Sequence, residues 1–259
     1  MKMIIKKENV IIQDICTWRK YAEPKGGEQH WKDGRSAKEF ARYMTQKTNV
    51  LPKAIEDYLK SIGVKGCDFI CQPEHVTDYD KDKLGIGTGR HHDGLLIAKP
   101  VAVIGIEAKV SEPFDKRVKY KLKAAVKLNK DKGENRKKRI MGSIKLITGS
   151  DKVDEVGHLM YQLISMTTGT LIEAQKAGVK KAVVLIIEFV GDVYKEDGYE
   201  NKVKVNADAY EDYLKFLKIN DKNDIDRKIR TEDDIEIWFK KLTISISKKD
   251  YDNIIYNLI

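Results

Sequence analysis

Residues 90–110 read RHHDGLLIAKPVAVIGIEAKV, and the fold turns on how this stretch is read. Two apolar runs flank Lys99 and Pro100, the pattern of a β-hairpin. In the second run Val101 and Val103 alternate with Ala102, Ile104 and Ile106, so both faces are apolar and the strand belongs inside a sheet covered on both sides. The same run closes with Glu107 and Lys109. Side chains alternate along a strand, so these two charges share a face while Ala108 points away. Charges at the end of a buried strand need partners.

Register decides whether Asp93 is one of them. A two-residue turn at 99–100 pairs Asp93 with Ile106 and puts the carboxylates on opposite faces. A three-residue turn centred on Pro100, or a bulge near Gly94 or Gly105, pairs Asp93 with Glu107 and brings them together. We expect the second arrangement.

Working outward, Ser36 and Glu39 have the spacing of a capping box ahead of AKEFARYMT. LPKAIEDYLKSI at 51–62 predicts a helix with Ile55, Leu59 and Ile62 inward and Gly63 as its stop. GCDFICQ at 66–72 predicts a strand, residues 73–90 a long exposed loop, and the segment before Ser36 an irregular beginning. Downstream, DEVGHLMYQLISMTTGTLIEAQKAG at 154–178 has the period of a helix, and KKAVVLIIEFV that of an interior strand. The order is helix, three strands, helix, strand. Beyond it we expect a helix capped by Asn206, a second over EDDIEIWFKKL, an alternating LTISIS, and a final amphipathic helix DYDNIIYNLI.

The chain has 259 residues, enough for one large domain. We read 1–190 as a core with an N-terminal extension, and 191–259 as a helical support or dimerisation subregion of the same domain. The longest uncharged apolar run, AVVLII at 182–187, is too short to span a bilayer, and MKMIIKKENV lacks the continuous apolar stretch of a secretory signal. A cytoplasmic protein is expected. Cys16, Cys67 and Cys71 make an odd count that suits reduced thiols. Cys67, Cys71 and His75 fall at intervals of four, which leaves a zinc site as an alternative to small buried side chains.

The net charge of +9 is localised. Residues 115–140 hold twelve Lys and Arg against three Asp and Glu, leaving thirty-seven of each sign elsewhere. Such a block attracts phosphates and makes binding salt-dependent. Lys116, Arg117, Lys119, Lys121 and Lys123 fall in an amphipathic helix with Val118, Leu122 and Ala125 inward, while Arg136, Lys137, Lys138 and Arg139 fall in what reads as a mobile basic loop. A solvated surface helix is the other reading of this block. Arg35, beside Trp31 and a glycine turn, is a further candidate phosphate contact.

These residues together resemble the PD-(D/E)XK, or restriction-endonuclease-like, nuclease superfamily. The resemblance implies an α/β (α+β) fold with a central mixed sheet flanked by helices. Asp93, Glu107 and Lys109 match its signature, with His92 where proline is usual. Glu56 is the best match to the glutamate that many members carry in the preceding helix, and Tyr161 and Gln162 occupy the place of a frequent Gln or Tyr. A closer similarity, to a bacterial family of restriction-type nucleases, lies in GGEQHWKDGRSAKEFA at 26–41, IEAKVSEPF at 106–114 and YQLISMTTGTLIEA at 161–174.

The chemistry calls for these residue types. A hard cation that binds a phosphate oxygen and activates water prefers carboxylate oxygens. Asp93 and Glu107 are therefore the expected ligands of Mg2+, with Mn2+ as a substitute and the Ala108 carbonyl as a third oxygen implied by the resemblance. Lys109 would hold or deprotonate the attacking water. Glu56 and Gln162 would assist. The expected activity is metal-dependent DNA endonucleolysis of the restriction or phage-defence kind, on double-stranded DNA and by a homodimer. A nucleic-acid-binding protein that does not cleave, and an exonuclease or RNA-directed nuclease, are the alternatives.

Overall fold

The structure, a computed structural model, describes residues 1–85, 89–110, 112–149, 154–191, 194, 199–219 and 227–247. The central hairpin consists of β4 (Arg90–Ala98) and β5 (Ala102–Lys109). Its ladder runs from Ala98↔Ala102 to Gly94↔Ile106, so Lys99, Pro100 and Val101 form the three-residue turn. One further step of that register sets Asp93 opposite Glu107. Every residue of β5 is buried.

Around this hairpin lies one eight-stranded mixed sheet, completed by β1 (Met3–Lys7), β2 (Val10–Ile11), β3 (Phe69–Thr77), β6 (Lys181–Val190), β7 (Lys228–Arg230) and β8 (Glu236–Ser245). The spatial order is β2-β1-β3-β4-β5-β6-β8-β7. The β3, β4 and β5 neighbours are antiparallel, and β5, β6 and β8 are parallel.

Helices cover both faces. On one lie α1 (Ile15–Tyr21), α2 (Ser36–Thr45) and α3 (Lys53–Ser61), where Trp18, Phe40, Ile55 and Leu59 meet Leu96, Ile104 and Ile106. On the other lie α5 (Val118–Val126), α6 (Lys130–Thr148), α7 (Tyr161–Ala177) and α8 (Tyr199–Phe216), packed on Leu95, Val103, Val184 and Ile186. A short α4 (Lys81–Leu84) follows β3. The order α3, β3, β4, β5, α7, β6 matches the sequence reading.

Several expectations are corrected. The chain does not begin irregularly: Met3 and Ile5 are buried and β1 runs parallel to β3. Ser36 and Glu39 form no capping box, because Glu39 is drawn inward to accept from Gly34 N–H and Arg42 while the Ser36 N–H donates to Glu112. The 73–90 stretch is not all loop, since β3 continues through Pro73 to Thr77. The basic 133–139 segment is helical. Asn129 caps α6 by accepting from Lys132 N–H at 3.0 Å, and the inward stripe of Ile140, Ile144 and Ile147 carries the helix through the charges.

Asn206 does not cap a helix either. It is buried inside α8, accepting from Phe114 N–H and donating to the Glu112 carbonyl, which pins the chain after β5. EDDIEIWFKKL yields β8 rather than a helix. Ile235, Ile237 and Phe239 face one core and Trp238 the other, the period of a strand. Residues 191–259 therefore contribute strands to the central sheet as well as α8. The expected last helix at 250–259 lies outside the described residues.

Candidate active site

The site forms where β4 parts from β5. Their ladder stops at Gly94↔Ile106, yet β4 stays paired with β3 as far as Arg90↔Thr77 and β5 with β6 as far as Lys109↔Glu188. A fork opens between the two central strands. Asp93 spans it with its side chain: Oδ2 accepts from Ala108 N–H at 2.7 Å, where the ladder has ended. The N–H and C=O of a strand residue point to the same side, so the Ala108 carbonyl also faces the fork.

Glu107 stands at the centre, 4% exposed. Its Oε1 accepts from Lys109 Nζ at 2.9 Å and from Gln162 Nε2, and its Oε2 from Arg90 Nη2. Burial pushes its pKa up, but Lys109 and Arg90 outweigh burial and hold it below the ordinary value. Asp93 lacks such company. Burial and the neighbouring Glu107 raise its pKa to about 7, against the opposing pull of Lys109, the Ala108 N–H and Arg90.

Gln162 comes from the first turn of α7, and its Oε1 accepts from Asp115 N–H at 3.1 Å. That bond fixes which end of the amide faces Glu107. Two glycines let α7 approach the fork: a Cβ on Gly105 would lie 2.1 Å from Thr170 Oγ1, and one on Gly169 would lie 2.7 Å from His92 Nε2 and 2.8 Å from Arg90 Cγ. His92 fills the space between, fully buried and held neutral by burial and by Arg90.

The sequence reading missed two residues of this cluster. Glu74 lies on β3 between the pairs Pro73↔Gly94 and His75↔His92, which sets it opposite Asp93. Its φ of 46° is left-handed, a strained conformation for glutamate. Lys7 Nζ donates to the Pro73 and Glu74 carbonyls at 3.0 and 2.8 Å and supports that bend. Burial and Asp93 raise the pKa of Glu74 to about 9. Glu74 falls in the 73–90 stretch whose Asp, Lys and Gly content reads as a loop, and the strand that carries it runs on through Pro73. The second missed residue is Arg90. The quoted stretch contains it, but only the fork turns it towards Glu107.

Glu56 is not in the cluster. Its carboxylate pairs with the Met1 amino group at 2.8 Å and with Lys60 at 2.5 Å, bonds that lower its pKa to about 2. Glu173 accepts from Lys176 and lies 3.3 Å from His75 Nε2. Of the basic residues, Lys116, Arg117, Lys119, Lys123, Arg136, Lys137 and Lys138 are exposed on and around α5 and α6. Lys121 turns inward to Asp115 and the Tyr161 ring, and the Arg139 charge reaches Tyr161 and Tyr79. Arg35 is half-buried at the start of α2.

Among the described residues, no three His, Cys, Asp or Glu side chains form a ready-made metal cage. The donor chemistry nevertheless suits a hard divalent ion. Three carboxylates on three adjacent strands lie near enough for their charges to act on one another, two of them with raised pKa values, and Mg2+ is commonly held by one or two carboxylates together with substrate oxygens.

Fold and site together define an α/β protein with a carboxylate–lysine cluster in the fork of its central mixed sheet. The chain belongs to the family described as Domain of unknown function (DUF6946), whose model matches residues 12–245. No curated protein and no solved structure matches it. No helix among the described residues is long and apolar enough to cross a membrane.

Proposed function

We propose that this protein is a metal-dependent DNA endonuclease on a restriction-endonuclease-like fold, of the restriction or phage-defence kind. The observation that carries the reading is the convergence of Asp93, Glu107 and Lys109 at the fork, flanked by the element order that the resemblance implies. Buried charge clusters contribute little to stability, so a chemical role accounts for this one better than a structural role.

Asp93 and Glu107 would hold Mg2+ or Mn2+, with Glu74 as a further carboxylate and the Ala108 carbonyl as a neutral oxygen. Bound there, the ion supplies Lewis-acid polarisation of a phosphate oxygen and an acidified water. Lys109 holds the attacking water by its Nζ and offsets charge that develops on the phosphate. Gln162 keeps Glu107 in one rotamer. The exposed lysines and arginines of α5 and α6 attract the duplex backbone and hold it beside the fork. Cutting both strands takes two such forks, which a twofold dimer supplies.

The test is Mg2+-dependent cleavage of unmodified supercoiled plasmid by the wild type, Asp93→Ala and Lys109→Ala. Cleavage by the wild type alone supports the reading, and discrete bands add sequence specificity. A wild type that binds DNA and leaves it intact would sink it. Circular and end-blocked substrates separate endonuclease from exonuclease.

A further inference from the structure

Arg90 is the one charged member of the cluster to which the chemistry above gives no task. Its side chain is 10% exposed, and its Nη2 donates to Glu107 Oε2. The two oxygens of Glu107 are thereby divided: Lys109 and Gln162 hold Oε1, and Arg90 holds Oε2. The Arg90 Nε is buried without a hydrogen-bond partner, although a buried guanidinium donor left unsatisfied is costly. Its stem lies against Gly169, where any larger residue would displace it. The placement is therefore built, yet its hydrogen bonding is incomplete.

A guanidinium fork fits two oxygens of a phosphate as well as it fits a carboxylate. Resting on the nuclease reading, we propose that Arg90 has two partners in turn. In the substrate-free protein it neutralises Glu107. When the duplex enters the fork, its guanidinium transfers to a nonbridging oxygen of the scissile phosphate and frees Glu107 Oε2 for the divalent ion. The exchange adds one positive charge to the pocket, the two of the cation less the one of the phosphodiester, and leaves each group paired: the phosphodiester takes over the arginine as the cation takes over the glutamate. Cation binding and substrate binding become mutually supporting, because each removes the other's competitor.

The experiment measures Mn2+ binding by calorimetry in the absence of DNA, alongside plasmid nicking, for the wild type, Arg90→Met, Arg90→Gln, Arg90→Lys and Asp93→Asn. Thermal melts confirm that each is folded. Removing a buried unit charge beside a ligand should tighten Mn2+ binding by about tenfold or more in the Met and Gln variants, while both nick plasmid at least about a hundredfold more slowly, the scale of losing a preorganised charge stabiliser. Arg90→Lys should bind Mn2+ like the wild type and nick at an intermediate rate. Folded Met and Gln variants that bind Mn2+ no more tightly than the wild type, while Asp93→Asn loses it, overturn the exchange and leave the nuclease reading standing. Unchanged Mn2+ binding by Asp93→Asn overturns the metal site itself, and the exchange with it.

Discussion

Glu74 and Asp93 face each other across β3 and β4, at the step of the ladder between Pro73↔Gly94 and His75↔His92. The next strand brings Glu107 opposite Asp93, so three carboxylates form a row across the sheet. Like charges directly opposite on neighbouring strands are destabilising, and the left-handed backbone at Glu74 adds strain. The row lies in the proposed site and defines what Glu74 does there. Glu74→Gln should weaken Mn2+ binding by about tenfold, the scale of one lost charge–charge contact in a partly buried site, and slow plasmid cleavage in parallel. It should also raise the melting temperature of the metal-free protein. A variant with wild-type Mn2+ affinity would remove Glu74 from the site.

The pH dependence follows from Asp93. Its folded pKa, about 7, lies above its ordinary value of 3.8. Between those values the folded chain keeps a proton that the unfolded chain has released, so stability is highest below about 4 and is lost as pH rises through about 7. Glu74 is raised in the same direction, and the two titrate as an interacting pair. Asp93 and Glu74 thus pull the stability of the metal-free protein down between about pH 4 and neutral pH, while His92, held neutral by burial, pulls it up over the same range, so denaturant melts are read as the difference between wild type and variant. Asp93→Asn, which keeps an acceptor for the Ala108 N–H, should gain about 1–2 kcal/mol at pH 8 and nothing at pH 4. Cleavage should rise with pH as the carboxylates ionise, and a wild-type-to-variant stability difference that stays flat with pH would contradict the assignment.

Much of this site was legible in the sequence because strand alternation is a strict rule. The apolar run 101–106 fixed β5, and the turn at Pro100 restricted Asp93 to two registers, one of which brings the carboxylates together. Gln162 was found through the resemblance. What stayed hidden depends on tertiary partners. Glu74 sits in a stretch whose Asp, Lys and Gly content reads as a loop, and Arg90 is aimed by a fork that local pattern does not encode. Glu56 was matched through the resemblance but is captured by Met1 and Lys60. The 232–242 segment carries enough charge to read as a helix surface, yet its Ile235, Ile237 and Phe239 alternate and the segment pairs with β6.

Glu56 therefore provides a contrast with the site residues. Its bonds to the Met1 amino group and Lys60 hold its pKa near 2, so whatever it contributes to stability is present above about 4.5 and is lost as pH falls towards 2. Glu56→Ala should cost at most about 1 kcal/mol at neutral pH, the size of an ion pair near the surface, and leave plasmid cleavage at the wild-type rate. A Glu56 variant that folds normally and loses cleavage would return this glutamate to the site.

The glycines under α7 connect packing to chemistry. Gly169→Ala would place a Cβ 2.7 Å from His92 Nε2 and 2.8 Å from Arg90 Cγ, closer than side chains in a packed interior tolerate. The helix must then lift or the arginine must move. Overpacking of this kind costs about 1–3 kcal/mol, and here the displaced group is the one that holds Glu107. Gly169→Ala should lower the melting temperature and, in the fraction that remains folded, slow cleavage by more than its stability loss explains. Gly178→Ala is the control at the end of the same helix. It carries the strain of a left-handed φ of 67° but meets no atom within 4 Å, so it should destabilise without changing the rate per folded molecule. Equal rates per folded molecule in the two variants would show that close packing at Gly169 serves stability alone.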